Sequence, residues 1–122
     1  MTNAATSIRP FLGAKDYDLS RRFYQTLGFD EVILSDTMSL FRNDVLGFYL
    51  QRAYVKDWVD NTMVFLEVRD IDAYWQTLSA LNLPAAYEGV RLSAVQAFDW
   101  GNACYLHDPS GILWHIGQFS SR

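Results

Sequence analysis

Both histidines, the only cysteine and two of the four tryptophans of this 122-residue chain lie in one segment, DWGNACYLHDPSGILWHIGQF, at 99–119. Imidazole and thiolate groups are ligands for transition metals, and a thiolate beside an imidazole can act as a catalytic nucleophile. Tryptophan rings can instead stack on an aromatic ligand. The segment therefore raises three hypotheses, which are a metal centre, a catalytic pair and a binding surface.

The tetrapeptide DPSG at 108–111 has the composition of a tight turn between two strands. A two-residue turn there pairs residues whose numbers sum to about 219, which places Cys104 opposite His115. The alternation of side chains along a strand then predicts His107 and His115 on opposite faces. A catalytic Cys104–His115 pair would need a depressed thiol pKa, whereas a lone cysteine is more often a buried apolar residue. We therefore predict no catalytic residue in this hairpin.

The composition predicts one compact domain over 1–122. Half of the residues are hydrophobic and 16% are aromatic, which suffices for a packed core with rings left for a ligand cavity or an interface. The net charge of -4 and the isoelectric point near 4.9 argue against binding to nucleic acid or to an anionic membrane. One cysteine excludes an internal disulfide framework, and the N-terminal residues lack the pattern of a signal peptide, so we expect a cytoplasmic protein.

An internal repeat relates the two halves of the chain. PFLGAKDYD at 10–18 matches VFLEVRDID at 64–72, at an offset of 54 residues. Each copy begins as a strand and ends in an aspartate, a preferred helix N-cap, ahead of apolar residues at helical spacing. The pattern predicts two modules of strand, helix and three strands, module 1 at 8–51 and module 2 at 62–119, joined by a linker at 52–61.

Turn residues delimit the predicted helices and strands. Gly28 is placed as the C-cap of the first helix, and Pro84 forbids the second helix from continuing. The strands predicted in module 1 are FDEVILS (29–35), SLFRN (39–43) and LGFYLQ (46–51). Those predicted in module 2 are AAYEGVR (85–91), SAVQAF (93–98), ACYLH (103–107) and ILWHIGQF (112–119).

Four motifs carry a resemblance to a known superfamily, and they are RNDVLGFYLQ (42–51), DNT (60–62), WG (100–101) and DPSGILWH (108–115). Together with the tandem modules, they resemble the vicinal oxygen chelate superfamily of glyoxalases, extradiol dioxygenases and bleomycin-resistance proteins, and most of all the last of these. The resemblance implies an α+β fold in which tandem βαβββ modules form a curved mixed sheet around a cavity. It also implies a homodimer in which both chains build each cavity.

In metal-dependent members, the resemblance implies His, Glu or Gln ligands on the first and last strands of each module. These positions fall on Arg9 and Met63 in the first strands and on Gln51 and His115 in the last. Arg9 and Met63 are not credible ligands for these metals, and a guanidinium repels a divalent cation. We therefore expect no metal cofactor, with His115 and Gln51 as metal ligands only if the chain is an enzyme.

The other candidate residues line the expected cavity. Strand alternation places Met63, Phe65 and Glu67 on the inward face, while Trp114 is predicted to face the core. The resemblance places the ring of Trp100 against the planar part of a drug. The residues predicted to contact a ligand are Trp100, His115, Phe41, Tyr49, Trp58, Met63, Phe65, Glu67, Arg9 and Cys104.

Three functions are compatible with the sequence. The first is a metal-free protein that sequesters a planar aromatic small molecule, such as a bleomycin-type antibiotic, with carboxylates near the rim favouring a cationic ligand. The second is a metal-dependent glyoxalase-like lyase or extradiol-dioxygenase-like enzyme with a divalent metal ion. The third is a dimer whose cavity is vestigial or regulatory, which predicts a narrow or filled cavity.

Overall fold

The computed structural model describes residues 4–120. The elements of the first half are β1 (Phe11–Gly13), α1 (Tyr17–Thr26), β2 (Asp30–Ser35), β3 (Met38–Asn43) and β4 (Leu46–Gln51), followed by the short helix α2 (Lys56–Asp60). The elements of the second half are β5 (Met63–Glu67), α3 (Ile71–Ala80), α4 (Leu83–Ala86), β6 (Arg91–Leu92), β7 (Gln96–Phe98), β8 (Gly101–His107) and β9 (Leu113–Phe119).

Each half forms its own mixed sheet. The first sheet has the strand order β1-β4-β3-β2, with β1 parallel to β4 and the other neighbours antiparallel. The second has the order β5-β9-β8-β6, with β5 parallel to β9 and β7 paired to β8 beside this path. The predicted α+β class and the tandem order of strand, helix and strands are confirmed. The segment predicted as a linker contains α2.

The helices begin and end for the reasons that the sequence indicated, with one exception. The side chains of Asp16 and Asp70 accept from the third amide of α1 and α3, as N-caps do. Gly28 follows the last turn of α1 with a positive φ of 107°. Pro84 does not follow the end of α3 directly, because it lies in the first turn of α4, where a missing amide hydrogen has no cost.

The strand predicted at 85–91 is wrong. Residues of this segment belong to α4 and to a turn, and only Arg91 reaches the short strand β6. The other predicted strands are found with shifts of a few residues at their ends. Alternation was weak evidence in a segment whose two alanines favour a helix and whose Pro84 can start one.

The helix-side faces of the two sheets meet in one hydrophobic core. Leu50 of the first sheet and Ile116 of the second are 0% and 1% exposed. Tyr24 of α1 contacts both sheets, with ring centroids 4.8 Å from Phe48 and 5.7 Å from Trp114. Trp114 thus faces the core, as predicted. The opposite face of each sheet points away from this core, and we call these the first open face and the second open face.

A buried polar chain ties the two halves together within this core. The hydroxyl of Tyr24 donates to Asp108 Oδ2 at 2.6 Å and accepts from Trp114 Nε1 at 3.0 Å. Burial and the Asp108 carboxylate raise the pKa of Tyr24 well above its usual value, so the phenol keeps the proton that it donates. Burial also raises the pKa of Asp108, while the hydrogen bonds that it accepts oppose that change.

Asp108 also shapes the loop between β8 and β9. Its Oδ1 accepts from the amides of Ser110, Gly111 and Ile112 at 2.8 to 2.9 Å. The Asp108 amide donates to the Ile112 carbonyl at 2.9 Å, so three residues separate the closing pair instead of the predicted two. Gly111 takes a φ of 105°, the left-handed conformation expected at the end of a three-residue hairpin loop.

The longer loop shifts the predicted hairpin register by one residue. Tyr105 lies opposite His115, and Cys104 lies opposite Ile116. The prediction that Cys104 faces His115 is therefore wrong. The prediction that His107 and His115 lie on opposite faces is also wrong, because both alternate onto the second open face.

In the part of the chain at 4–120, no helix is both long and apolar enough to cross a lipid bilayer.

Replacing Tyr24 with phenylalanine should destabilise the fold. Tyr24→Phe leaves the buried Asp108 Oδ2 and Trp114 Nε1 without this partner, which lowers the free energy of unfolding by about 1 to 3 kcal/mol. Urea denaturation followed by circular dichroism measures the change. Tyr54→Phe, at a side chain 37% exposed, is the matched control and should change stability by less than about 0.5 kcal/mol. Equal effects of the two substitutions would contradict the role of the buried chain.

Candidate ligand-binding faces

The second open face presents a cluster of aromatic rings. Trp100 lies in the turn between β7 and β8, stacked on Phe98 at 5.6 Å and 4°. Its ring centroid is also 5.0 Å from Phe119 and 5.9 Å from Phe65. Phe65, Phe98 and Trp100 are 46%, 38% and 37% exposed, so the cluster is open to a ligand from solution.

Gly117 of β9 makes room for this cluster. A Cβ atom there would lie 2.9 Å from Phe65 Cζ, a separation that real Cβ atoms essentially never show, and 3.0 Å from Trp100 Cη2, which is tighter than most real Cβ contacts. The two rings can therefore lie over the strand only because position 117 carries no side chain.

His115 continues the aromatic surface along β9. Its ring stacks on Phe65 at 6.5 Å and 15°, and Tyr105 meets it edge-on at 5.1 Å. Its Nε2 lies 3.4 Å from Met63 Sδ, a contact of a ring with a soft sulfur. On the same face, burial and then Arg91 lower the pKa of His107, which keeps that imidazole neutral at pH 7.

The first open face carries a smaller aromatic pair and a cation. Phe11 of β1 stacks on Tyr49 of β4 at 4.7 Å and 20°, and Phe11 is 55% exposed. Arg9 Nη1 donates to Tyr49 Oη at 3.2 Å, with the guanidinium 5.9 Å from the Tyr49 ring centroid. This face therefore combines a planar apolar surface with a positive charge.

Trp58 lies at the end of the first open face. It projects from α2 and is 74% exposed. Together with Phe11, Gln51 and Val59 it lines a hollow of about 130 Å³, below the roughly 300 to 1,000 Å³ of a typical ligand pocket. In a single chain the hollow is too small for a drug-sized molecule.

The predicted site residues thus form two groups, one on each open face, except for two residues that lie on neither face. Arg9, Tyr49, Gln51 and Trp58 belong to the first open face, and Met63, Phe65, Glu67, Trp100 and His115 to the second. Phe41 and Cys104 do not reach an open face. Their parts in binding, like those of the others, stay predictions from the sequence, and the placement of these two is corrected.

Phe41 and Cys104 are both 0% exposed and belong to the hydrophobic core. Phe41 lies opposite Phe48, and it is the neighbouring Leu40 that pairs with Tyr49 on the first open face. Desolvation raises the pKa of the Cys104 thiol to about 11, the opposite of what a catalytic thiolate requires. Cys104 acts as a small core residue.

Sequence reasoning missed several residues of the two faces. Phe98, Tyr105 and Phe119 complete the aromatic cluster, and Arg42 lies on the first open face beside Gly47. One signal was available for the cluster, because a glycine inside a strand, as at 117, often marks the close approach of another group.

The residues at the predicted metal positions do not fit a divalent cation. His115 and Gln51 lie on different sheets, His115 Nε2 faces a thioether, and Arg9 brings a positive charge. Within residues 4–120, no three side chains of His, Cys, Asp or Glu are placed to share one ion.

Comparison with known proteins rests on structure, because no protein-family model and no curated protein matches the sequence. The chain is similar to a bleomycin resistance determinant encoded on transposon Tn5, with a TM-score of 0.79 and 19% identity over 95% of this chain and 99% of that chain. It is similar to the bleomycin-binding protein of bleomycin-producing Streptomyces verticillus complexed with copper(II)-bleomycin, with a TM-score of 0.77 and 21% identity over 95% and 97% of the two chains. It is also similar to a lactoylglutathione lyase from Agrobacterium tumefaciens, with a TM-score of 0.71 and 17% identity over 95% and 96%. The chain therefore has the glyoxalase/bleomycin-resistance fold, as the sequence predicted.

Introducing a side chain at position 117 should disturb the aromatic cluster. In Gly117→Ala, the new methyl group displaces the Trp100 and Phe65 rings, which changes the near-ultraviolet circular dichroism and the tryptophan emission maximum. The same substitution made in a Trp100→Phe background is the control and should produce a much smaller change in emission. An emission change of equal size in both backgrounds would show that Trp100 does not lie over Gly117.

Cys104 should resist thiol reagents in the folded protein. With a pKa of about 11, its thiolate fraction at pH 8 is roughly 100-fold below that of a thiol of ordinary pKa, and burial slows access further. The rate of reaction with a chromogenic disulfide reagent at pH 8, measured with and without 6 M guanidinium chloride, checks this. Rapid labelling of the native protein would contradict the core placement.

Proposed function

We propose that this chain of glyoxalase/bleomycin-resistance fold is a metal-free binding protein that sequesters a planar aromatic small molecule. The observation that carries the proposal is the aromatic cluster of Phe65, Phe98, Trp100, Phe119 and His115, of which the first three are exposed. Exposed apolar rings that form one continuous patch are uncommon on a protein surface, and a ligand-binding groove is one of the features that such patches mark. A planar ligand would stack on them, and such stacking contributes about 0.5 to 1.5 kcal/mol beyond burial.

The similar structures support this function at the level of the ligand class. The Streptomyces verticillus protein is described as bleomycin-binding and was solved with copper(II)-bleomycin. We extend that chemistry to this chain as stoichiometric trapping in which the ligand is held and not converted. Protection of a cell would then scale with the protein concentration and not with a turnover number.

A second copy of the chain completes the proposed site. Phe11 and Met63, one on each open face, are 55% and 64% exposed in the single chain, and the hollow beside Trp58 is small. Since both open faces point away from the shared core, one chain cannot close them over a ligand by itself. In a homodimer, the first open face of one chain would cover the second open face of its partner.

A metal-dependent lyase is the alternative, favoured by the similarity to a lactoylglutathione lyase. His115 and Gln51 would have to hold its divalent ion, and their separation on two sheets argues against this within one chain. Elemental analysis of protein purified without chelator separates the two functions. Near-stoichiometric metal that is lost in His115→Ala would favour the lyase.

Removal of the Trp100 ring should weaken ligand binding. Titration with bleomycin and with 2-naphthyl compounds should quench tryptophan fluorescence at a stoichiometry of about one ligand per site. Trp100→Ala should raise the dissociation constant roughly tenfold, because it removes a stacked ring.

The control for this titration is Trp75→Phe. Trp75 lies on α3, where its Nε1 donates to the Ser93 carbonyl at 2.8 Å and its ring packs against the core. Its substitution should leave the affinity unchanged. If bleomycin alone fails to bind, only bleomycin is excluded as the ligand. If no planar compound quenches the fluorescence, the proposed function is wrong.

A further inference from the structure

The first open face holds a buried hydrogen-bond donor without an acceptor. Arg9 Nε has no contact with water and no hydrogen-bond partner. A buried donor that lacks a partner costs about as much as a lost hydrogen bond, so it calls for an explanation. Arg9 thus carries a charge and donors that the residues around it leave unsatisfied.

The Arg9 guanidinium lies against Gly47 and Tyr49 of β4. A Cβ atom at Gly47 would lie 3.5 Å from Arg9 Nε, an ordinary van der Waals separation, so this nitrogen packs directly on the strand. On the other side, Arg9 Nη1 donates to Tyr49 Oη at 3.2 Å. Because that oxygen acts as the acceptor, the Tyr49 hydroxyl hydrogen is left to donate to a third group.

The charge on this face is not neutralised by an ion pair. Arg42 pairs with Gly47 across the strands and lies on the same face, so this face carries a second cationic side chain. The ion pairs among residues 4–120 do not include Arg9 or Arg42. The carboxylate that faces them is Asp30, which lies opposite Arg42 across the strands, and it leaves one excess positive charge.

We propose that Arg9 and Tyr49 form an anion subsite, and that the ligand is a planar aromatic molecule bearing a carboxylate or similar oxyanion. This inference rests on the proposed function and gives the ligand a negative charge, in place of the positive charge that the rim carboxylates favoured. The oxyanion accepts from terminal N–H groups of Arg9 that Tyr49 leaves free and from the Tyr49 hydroxyl, with Arg42 adding attraction. The stacked pair of Phe11 and Tyr49 receives the attached ring.

Two probes of similar shape distinguish the contribution of the anion to binding from that of the ring. These are 2-naphthoate and 2-naphthylmethanol, which share the ring and differ in charge. Because Trp58 lies at the end of the first open face, the titrations use a Trp58→Phe background. Tryptophan fluorescence then reports contact with the aromatic cluster, and the ¹H–¹⁵N resonance of Arg9 Nε reports the subsite. That resonance is assigned as the one missing from the spectrum of Arg9→Lys. Both signals are followed in each titration.

The expected result is that 2-naphthoate quenches tryptophan and shifts the Arg9 Nε resonance, with an affinity roughly tenfold or more above that of 2-naphthylmethanol. Arg9→Gln should bring the affinity for 2-naphthoate down to that of the alcohol, and Tyr49→Phe should weaken it in part. Arg22→Gln, on the exposed side of α1, is the matched loss of charge and should leave it unchanged.

The other outcomes distinguish the two proposals. Quenching by both probes with an unmoved Arg9 resonance, or equal shifts with both probes, overturns the anion subsite and leaves the proposed function standing. A shift of Arg9 with 2-naphthoate alone, without quenching, keeps the subsite and overturns the aromatic wall around Trp100. No response of either signal to 2-naphthoate overturns both.

Discussion

The carboxylate of Asp108 is the interaction on which the remaining structure depends. With Oδ1 it holds three amides of the β8–β9 loop, and with Oδ2 it accepts from Tyr24 in the opposite half of the chain. The first set of bonds selects a three-residue loop and so decides which side chains of β9 face outward. The bond to Tyr24 joins the two halves about a common core. One fully buried acid thus determines both the register of the candidate site and the direction in which it points.

Two open faces of different chemistry follow from that arrangement. The second is an aromatic surface that exists because Gly117 leaves space for Trp100 and Phe65. The first is a small stacked pair with the unneutralised guanidinium of Arg9. A molecule with a flat ring and an oxyanion matches the two together. Since both faces are exposed in one chain, pairing of two chains is the simplest way to enclose such a molecule.

The fold could be predicted from the sequence because its signals are local and repeated. Asp16 and Asp70 cap the helices in both halves, and strand alternation correctly placed Met63 and Phe65 on the face of β5 opposite the helices. The hairpin register could not be predicted in the same way, because it depends on a loop that Asp108 closes through its side chain. Because this loop is one residue longer than predicted, Cys104 lies in the core and not at the expected site.

The site was harder to predict than the fold, because its parts come from different strands. Arg9 was identified from its position, yet its unsatisfied donor depends on Gly47 and Tyr49 of another strand.

The most direct test of the account is a crystal structure grown with 6-bromo-2-naphthoate, in which anomalous scattering locates the bromine. The account predicts the ring between the Phe11–Tyr49 pair of one chain and Trp100 of its partner, with its carboxylate at Arg9 of the first chain. A bromine on the helix side, or in the core beside Tyr24, would contradict it.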